Sequence, residues 1–359
     1  MAKVLLDLRM VRGALHGIAR YALELARRLP VLEPRWQFQG LVGPDFSAEE
    51  LGDLTPRLPL VRSAADFLSP LEQPVLLADL VRARPDVFHA TSFSLPALWP
   101  GRLVATLHDA NHLALVESSS ITRTAYYRLV VAPRAERARA LITVSGFSRR
   151  ELAAHLGLPP ERLQVIANGV DLSFKPPPAG ELADFRARRG LPEKYFAAIG
   201  SIKPHKNLGV LRPIVGKLPA PLALLAGRGS RRALDFDEAV LEVSPLPDAE
   251  LVRCYATAVA VLVPSRYEGF GLPALEAMAC GAPVIASASG AHPEVLGQAG
   301  MLVSADSPEA WLEAARLLWR EPQRREELSA LGQERALRYS WDDCARQTLE
   351  VYRRALDDR

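Results

Sequence analysis

The stretch from residue 259 to residue 281 combines a buried strand, a glycine turn and a short helix. Its apolar run, Val259–Val263, predicts a strand of a parallel sheet, because such strands are buried on both faces. Pro273 suits the first turn of a helix, where a missing N–H costs nothing, and Gly281 suits the position just past the helix end. Gly269 and Gly271, in the turn between them, let the backbone approach a ligand closely. A chain built from such units is an α/β protein.

The residues of this turn and helix also predict a ligand with a phosphate between two polyols. The N–H groups of Gly271, Leu272 and Ala274 lie at the helix start, which attracts phosphate. Glu268 in the turn and Glu276 in the helix each supply a carboxylate that accepts hydrogen bonds from two neighbouring hydroxyls. A sugar nucleotide has this layout. From the spacing alone, a tight turn with two solvated glutamates explains the pattern equally well.

The same stretch resembles a known signature. Residues 264–287 read PSRYEGFGLPALEAMACGAPVIAS and are similar to the Glu-x7-Glu region of the retaining glycosyltransferases of family 4. The flanking Pro264-Ser265 and Gly281-x-Pro283-Val284 make the match specific. The resemblance is strong from 195 to 300 and weak from 44 to 100. It implies the GT-B fold, in which two Rossmann-like parallel-sheet domains face each other across a cleft, and transfer of a sugar from a nucleotide-diphosphate sugar to an acceptor hydroxyl.

Composition bounds the class of protein. The chain has 359 residues, which suggests about two domains, and it is 49% apolar and 24% charged, as soluble globular proteins are. No apolar run approaches the ~20 residues of a membrane span, and the apolar part of the N-terminus is too short for a signal peptide. The three cysteines form no CxxC pair, which argues against a disulfide framework or a zinc site and suits a reducing cytoplasm. A net charge of +3 does not indicate nucleic-acid binding.

Short apolar runs alternate with helical segments along the chain, which predicts parallel α/β sheets. The proline-rich run that follows Phe174 favours an interdomain linker. We therefore expect a first Rossmann-like domain at 1–173, a linker at 174–190, a nucleotide-sugar domain at 191–339, and a terminal helix at 340–359 that returns to the first domain. Three local predictions accompany this division: Pro30 ends the first helix, Ser148 caps a helix with Glu151, and Asn168-Gly169 forms a turn with positive φ.

The resemblance assigns roles to individual residues. The implied site residues are Gly17, Lys206, Gly271, Leu272 and Arg228 for the donor diphosphate, Glu268, Phe270 and Gly271 for the donor sugar, Glu276 for the ribose, Leu246 for the base, and His108 with Glu268 for catalysis. Arg228 is included because Ser201 and His205 stand where relatives of this pattern carry arginine. The family generally needs no metal and no cofactor, since a lysine, a helix dipole and backbone amides hold the leaving diphosphate.

Other readings stay open at this stage. A sugar-nucleotide epimerase, a phosphorylase or a non-catalytic nucleotide-sugar-binding subunit fits the same architecture, because fold alone does not decide function. The acceptor is a glycan, a lipid-linked sugar or a small molecule, and surface polysaccharide or glycoconjugate synthesis is the expected setting. If the acceptor is lipid-linked, the arginines between 123 and 150 predict peripheral contact with the inner face of the membrane, although a solvated basic face is the commoner explanation.

Overall fold

A computed structural model describes residues 1–12, 16–46, 58–65, 67, 69, 71–115, 121–243 and 246–357, apart from the side chains at 121, 123 and 179. The chain forms two compact units. One unit comprises Met1–Gly169 together with Trp341–Arg359, and the other comprises Val170–Ser340. The second unit is thus a continuous segment, whereas the first is assembled from two separated parts of the sequence. No helix in the described ranges has both the length and the apolar character needed to cross a bilayer.

The first unit is built on a seven-stranded parallel sheet in the order β3-β2-β1-β4-β5-β6-β7. Its strands are β1 (Lys3–Asp7), β2 (Gln37–Val42), β3 (Leu60–Arg62), β4 (Val87–Ala90), β5 (Arg102–Thr106), β6 (Ala140–Thr143) and β7 (Leu163–Val165). Its helices before the second unit are α1 (Gly17–Leu32), α2 (Glu72–Ala83), α3 (Asn111–Ala114), α4 (Ile121–Tyr126), α5 (Ala132–Arg137) and α6 (Gly146–Leu156), with a π-helical stretch at Tyr127–Val131 and a 3-10 turn at Pro160–Arg162. The strands are nearly continuous apolar runs, as expected of a sheet covered on both faces.

The last helix of the chain, α14 (Trp341–Asp357), completes this first unit. The Trp341 ring lies 6.3 Å from the ring of Tyr21 on α1, and both side chains are buried. The Tyr352 hydroxyl lies 2.5 Å from Nδ1 of His89 at the end of β4. The structure therefore places the final amphipathic helix in the first unit, to which residues 340–359 were expected to return.

The second unit is built on a six-stranded parallel sheet in the order β10-β9-β8-β11-β12-β13. Its strands are β8 (Phe196–Ile199), β9 (Leu222–Leu225), β10 (Leu241–Glu242), β11 (Ala260–Val263), β12 (Val284–Ser287) and β13 (Met301–Val303). Its helices are α7 (Leu182–Arg189), α8 (Ser230–Ala233), α9 (Asp248–Thr257), α10 (Leu272–Ala279), α11 (His292–Leu296), α12 (Pro308–Arg320) and α13 (Pro322–Ala336), with 3-10 segments at Ala179–Glu181, Pro204–Lys206 and Leu208–Lys217. The buried Trp311 of α12 packs in the core of this unit.

The second unit begins at Val170, 21 residues before the predicted start at 191, and includes the segment predicted to be a linker. Val170 pairs with Ser340 in a parallel bridge, which ties the two ends of the unit together. Phe174 is buried, and Phe185 of α7 is fully buried. Residues 174–190 therefore belong to this unit, with Phe174 and Phe185 buried and the proline-rich stretch between them largely exposed.

Three local predictions are wrong. Pro30 lies inside α1, which continues to Leu32 because the N–H of Glu33 still reaches the carbonyl of Leu29 at 3.0 Å. Ser145, not Ser148, caps α6: its hydroxyl accepts from the Ser148 N–H at 2.9 Å. Neither Asn168 nor Gly169 has a positive φ, so the turn at 168–169 lacks the left-handed residue expected there. In the first two cases the backbone N–H groups find a hydrogen-bond partner other than the one that the sequence suggested.

Candidate donor site and the histidine cluster

The second sheet has a topological switch between β8 and β11, since the chain extends outward from this pair in opposite directions. Open α/β sheets bind ligands at the carboxyl ends of the strands beside such a switch. Lys206 follows β8, Glu268 follows β11 and His292 follows the next strand, β12. Three adjacent parallel strands therefore deliver three polar side chains to one edge of the sheet.

Lys206 and Glu268 meet at this edge. The Nζ atom of Lys206 donates to Oε1 of Glu268 at 2.6 Å, and the side chains are 22% and 12% exposed. Burial raises the pKa of the Glu268 carboxyl, but the charge and hydrogen bond of Lys206 outweigh it, so the pKa lies below its ordinary value. The two residues predicted to hold the diphosphate and the sugar are thus an ion pair, with the glutamate ionised at neutral pH.

The residue after Lys206 fixes the conformation of its loop. Asn207 has a φ of 53°, and its side-chain amide donates to the carbonyls of Pro264 at 3.1 Å and Ala305 at 2.8 Å. These bonds bind the Lys206 loop to the loops that follow β11 and β13. The sequence analysis did not single out Asn207, although asparagine is one of the few residues that adopt a left-handed conformation readily.

The backbone of Glu268 is held by the loop after β12. The N–H of Ala291 donates to the Glu268 carbonyl at 3.0 Å. A Cβ atom added at Gly290 would lie 2.7 Å from the Glu268 nitrogen and 2.9 Å from its oxygen, and Gly290 has a φ of +63°. Only glycine allows this close approach, so residue 290 is part of the structural support of the glutamate.

The glycine turn leads into α10 as the sequence predicts, with one exception. Pro273 lies in the first turn of α10, and Gly281 has a φ of +79° just past its end, which confirms both predictions. The N–H of Ala274 donates to the carbonyl of Gly271 at 3.1 Å, so the prediction that it is a free phosphate donor is wrong. The N–H groups of Gly271 and Leu272 precede the first hydrogen-bonded turn of the helix, where partners from outside the helix are expected.

Two further predicted residues take distinct positions around this turn. Glu276 lies on α10 and is 7% exposed, so its carboxylate is almost covered by protein. Phe270 is buried with its ring 5.6 Å from that of Tyr339 in an edge-to-face arrangement. Its side chain therefore packs within the unit, and the donor-sugar role of Phe270 stays a prediction.

Arg228 and Leu246 are not joined to the ion pair. Arg228 is exposed in the turn after β9, and no ion pair links it to any residue in the described ranges. Leu246 is half-buried in the segment before α9. Within the described ranges, no hydrogen bond connects either side chain to Lys206 or Glu268. Their diphosphate and base-binding roles remain predictions.

In the first unit, His108 follows the carboxyl end of β5. Its Nε2–H donates to the carbonyl of Thr91 at 2.9 Å, which leaves Nδ1 as the acceptor nitrogen. The ring centroid of Tyr21 is 4.8 Å away at an angle of 87°. Burial lowers the pKa of His108 to about 4; the Thr91 carbonyl opposes this effect, and the nearby His16 adds to it. His108 is therefore a neutral imidazole at neutral pH.

A second buried histidine lies behind His108. Nε2 of His89 is 2.8 Å from Oγ1 of Thr106, which is also 2.8 Å from the hydroxyl of Tyr21. Burial lowers the pKa of His89 to about 3, with His108 contributing. Hydrogen bonds join His89 to Tyr352 on α14 and, through Thr106, to Tyr21, while His108 packs edge-to-face on the Tyr21 ring. We call these five side chains the histidine cluster (Tyr21, His89, Thr106, His108, Tyr352); beyond His108 itself, the sequence did not predict it.

The start of α1 carries the remaining predicted residue of this unit. Gly17 is the exposed first residue of the helix, and Nδ1 of His16 accepts from the N–H of Ala19 at 3.4 Å. After β1, the buried Arg9 forms ion pairs with Asp7 at 2.7 Å and Glu72 at 2.9 Å. These two ion pairs hold Arg9 beside the end of β1 and the first residue of α2.

No group of three or more His, Cys, Asp or Glu side chains in the described part of the chain is arranged to hold a metal ion. The polar groups at the edge of the second sheet instead suit an organic anion that carries hydroxyls. Lys206 supplies a cation, Glu268 and Glu276 supply hydroxyl acceptors, and the start of α10 supplies N–H donors.

Two models of known protein families match the sequence. The model of glycosyltransferase family 4 matches residues 15–174, and the model of glycosyl transferases group 1 matches residues 193–321. Together the two matches cover more than half of the chain.

Relatives found by sequence agree with the family models. O-antigen chain mannosyltransferase B of Escherichia coli is 28% identical over 387 residues, which cover 98% of this chain and 99% of that protein. D-inositol 3-phosphate glycosyltransferase of Kineococcus radiotolerans is 34% identical over 257 residues, which cover 62% of this chain and 59% of that protein. MMP alpha-(1->4)-mannosyltransferase of Mycolicibacterium hassiacum is 33% identical over 233 residues, 54% of that protein. The matches to the latter two proteins span little more than half of their length.

Solved structures show the same fold at low sequence identity. Sucrose-phosphate synthase of Thermosynechococcus elongatus aligns with a TM-score of 0.80 and 21% identity over 98% of both chains. Anabaena HepE in complex with UDP-glucose aligns with a TM-score of 0.79 and 19% identity, over 98% of this chain and 100% of that one. These likenesses concern the fold, and the family matches concern the sequence. The chain belongs to the glycosyltransferases of family 4 and has the GT-B fold.

Proposed function

We propose that the protein is a retaining glycosyltransferase that uses a nucleoside-diphosphate sugar as donor and a hydroxyl as acceptor. The observation that carries this proposal is the Lys206–Glu268 ion pair at the switch point of the second sheet, beside the start of α10. A cation for phosphate and a carboxylate for sugar hydroxyls lie within one hydrogen bond of each other. A nucleotide sugar presents its phosphate and its transferable ring at the same short separation.

Each polar group of the donor site has a distinct task in this proposal. Lys206 and the N–H groups of Gly271 and Leu272 bind the diphosphate, Glu276 binds the ribose, and Glu268 binds the transferable sugar. Donors of this kind stabilise the negative charge that develops on the leaving diphosphate. We propose that they do so without a metal ion, and that full activity therefore persists in EDTA.

Retention places the acceptor on the same face of the ring as the leaving group. The bond between the anomeric carbon and the phosphate oxygen breaks, and the bond to the acceptor oxygen forms. The acceptor proton passes to the leaving diphosphate. The positive charge that develops on the ring favours an ionised carboxylate nearby, and Lys206 keeps Glu268 ionised. His108 remains the proposed partner of the transferable sugar in the first unit.

The relatives suggest what to test first. Two of them are mannosyltransferases, one of which acts on O-antigen chains, so a hexosyl donor and a surface-polysaccharide acceptor head the candidates. A panel of nucleoside-diphosphate hexoses should contain one that raises the melting temperature, because a ligand that binds the native state stabilises it. Incubation of that donor with candidate acceptors should give a product with the same anomeric configuration as the donor. The one-bond coupling constant between C1 and H1 of the transferred sugar measures this configuration. Binding without turnover would indicate a non-catalytic subunit, and an inverted product would exclude retention.

We expect Lys206→Ala to weaken binding of the nucleoside diphosphate by ~1.5–3 kcal/mol, the usual contribution of a hydrogen bond to a charged group. The dissociation constant should rise roughly 10- to 150-fold. Calorimetry measures it directly. Lys203→Ala is the matched control, since Lys203 is exposed in the same loop and should leave the affinity unchanged. Equal affinities of wild type and Lys206→Ala would remove Lys206 from the diphosphate site.

We also propose that the protein works in the cytoplasm and contacts the inner face of the membrane. Within the first unit, Arg102, Arg134, Arg137 and Arg139 line a hollow of about 570 Å³, and none of them forms an ion pair with a described residue. Burial and the charge of Arg137 lower the pKa of Arg134, so the two arginines repel one another, and Asp86 is the one acidic residue among the lining residues. Such a surface suits lipid headgroups that carry phosphate.

The double variant Arg137→Gln/Arg139→Gln should bind anionic vesicles more weakly by ~1 kcal/mol for each arginine removed. Vesicle flotation at low and high salt measures this, because attraction between exposed charges is screened by salt. Arg62→Gln/Arg84→Gln, at exposed positions of the first unit outside residues 123–150, is the matched control for loss of charge elsewhere on the unit. Wild-type protein that stays with the soluble fraction at low salt would contradict the membrane contact.

A further inference from the structure

His292 is a buried histidine beside the donor site that has no role in the family resemblance or in the function proposed above. It is the first residue of α11, after the loop that follows β12. Its side chain has no exposed surface, yet it lies close enough to Glu268 for the carboxylate charge to affect its pKa. Buried polar side chains usually have all their hydrogen bonds satisfied, so an exception calls for a reason.

The hydrogen bonds around His292 determine which ring nitrogen carries the proton. The hydroxyl of Ser287 donates its proton to the carbonyl of Ser265, so it has none left for the imidazole. Nδ1 of His292 lies 3.0 Å from that hydroxyl oxygen and 3.2 Å from the Ser287 carbonyl, and both can only accept from it. The proton of a neutral imidazole therefore resides on Nδ1, and Nε2 carries a lone pair.

The imidazole is neutral under ordinary conditions. Burial lowers the pKa of His292, the Glu268 carboxylate and the Ser287 carbonyl oppose this, and the Lys206 charge adds to it, with a net shift downward. Nε2 is thus an acceptor. It has no hydrogen-bond partner within the described part of the chain, and an unsatisfied buried acceptor destabilises the folded state.

The unsatisfied nitrogen lies under the glycine turn. A Cβ atom added at Gly271 would be 3.5 Å from Nε2 and 3.0 Å from the neighbouring ring carbon, Cδ2. Gly271 has a φ of +96°, so this backbone lacks both a side chain and the conformation of an ordinary residue. The turn that leads into α10, which carries the proposed diphosphate donors, therefore packs directly on the imidazole of His292.

We propose that His292 is a specificity-determining residue, whose Nε2 accepts a hydrogen bond from one hydroxyl of the transferable sugar. A phosphate is excluded as the partner, because an ionised phosphate has no proton to donate and a lone pair repels it. Contact requires a local change of the backbone at Gly271 when the donor binds, and glycine adopts more backbone conformations than any other residue. The inference rests on the proposed donor site and adds to it a preference for a particular hydroxylated sugar.

The test uses two variants and two kinds of donor. His292→Leu removes the acceptor, whereas His292→Gln keeps an oxygen near the position of Nε2. Each is assayed with the best donor from the hexose panel and with its monodeoxy analogues. Wild type should lose about tenfold in kcat/KM with one deoxy analogue, which corresponds to one neutral hydrogen bond. His292→Leu should lose about tenfold with the parent donor and no longer distinguish that analogue, and His292→Gln should recover part of the difference.

Affinity for the free nucleoside diphosphate should be the same in all three proteins. If His292→Leu still rejects every deoxy analogue as wild type does, or loses nucleoside-diphosphate affinity as much as donor affinity, the inference is overturned while the proposed function stands. If wild type binds no nucleoside-diphosphate sugar, both fall together. The two failures are therefore distinguishable.

A measurement on the wild type does not depend on the folding of variants. Nitrogen-15 spectra of the imidazoles should show one ring with a protonated Nδ1 and a bare Nε2, assigned to His292 by its loss in His292→Gln. The Nε2 signal should shift on addition of the parent donor and stay in place with the deoxy analogue that wild type rejects. A protonated Nε2, or equal shifts with both donors, would contradict the proposal.

Discussion

Replacing Glu268 with glutamine should lower kcat on the order of 10²- to 10³-fold, the usual effect of removing one electrostatic contact to a transition state. The substitution keeps the volume and removes the charge that faces the ring as positive charge develops on it. Affinity for the free nucleoside diphosphate should not fall, because Lys206 keeps its own charge and loses only its carboxylate partner. Single-turnover kinetics and calorimetry together measure both quantities.

Glu276→Gln is the matched comparison, eight residues further along the same turn and helix. Ribose is bound alike in donor and product, so losing this contact should weaken donor and nucleoside diphosphate by similar amounts and act mainly on KM. If both variants lose nucleoside-diphosphate affinity equally and neither loses kcat, the division of roles between the two glutamates is wrong, even though the family stands.

Acid should destabilise the protein strongly through the histidine cluster. The pKa values of His89 and His108 in the folded chain are about 3 and about 4, below the ordinary histidine value of about 6.5. Between those values the unfolded chain binds protons that the folded chain does not. The contribution of the two histidines to the free energy of unfolding is therefore fully present above about pH 6.5 and is lost as the pH decreases. At pH 5 the free energy of unfolding should be lower than at neutral pH by ~2 kcal/mol for each histidine and by about 4 kcal/mol for the pair.

Denaturant unfolding at pH 7 and pH 5 measures this loss, and variants isolate the part due to the cluster. His89→Gln and His108→Gln should be less stable than wild type at pH 7 but should each lose ~2 kcal/mol less between the two pH values. His155→Gln, at an exposed position of α6, controls for general effects of removing a histidine. Parallel pH dependences in wild type and the His89 variant would show that His89 is not held neutral.

Much of the second unit's donor site was predictable from the sequence, because each residue lies within a few positions of a recognisable strand end. A parallel sheet brings the carboxyl ends of its strands to one edge, so Lys206 and Glu268 meet although they are 62 positions apart. The predictions for Pro273 and Gly281 depend only on neighbouring residues, and both are confirmed.

The supporting contacts were not predictable, because they depend on which distant residue satisfies a particular atom. Asn207 bonds to a carbonyl 98 positions away, and no pattern in its own neighbourhood indicates that partner. The proton position on His292 follows from a chain of two serines whose geometry exists only after folding. Pro30 shows the converse: a strong local signal for a helix end is overridden by one remaining backbone bond.

The arrangement of the two units in the sequence has a consequence for synthesis on the ribosome. Residues 170–340 form a continuous unit, so they can fold as soon as they emerge, whereas the first unit waits for a segment translated after all of them. Until Tyr352 arrives, His89 lacks its hydroxyl partner and the face of α1 that Trp341 covers is open to water. We therefore expect the nascent first unit to expose apolar surface until the second unit has been synthesised, and to complete its folding after the second unit.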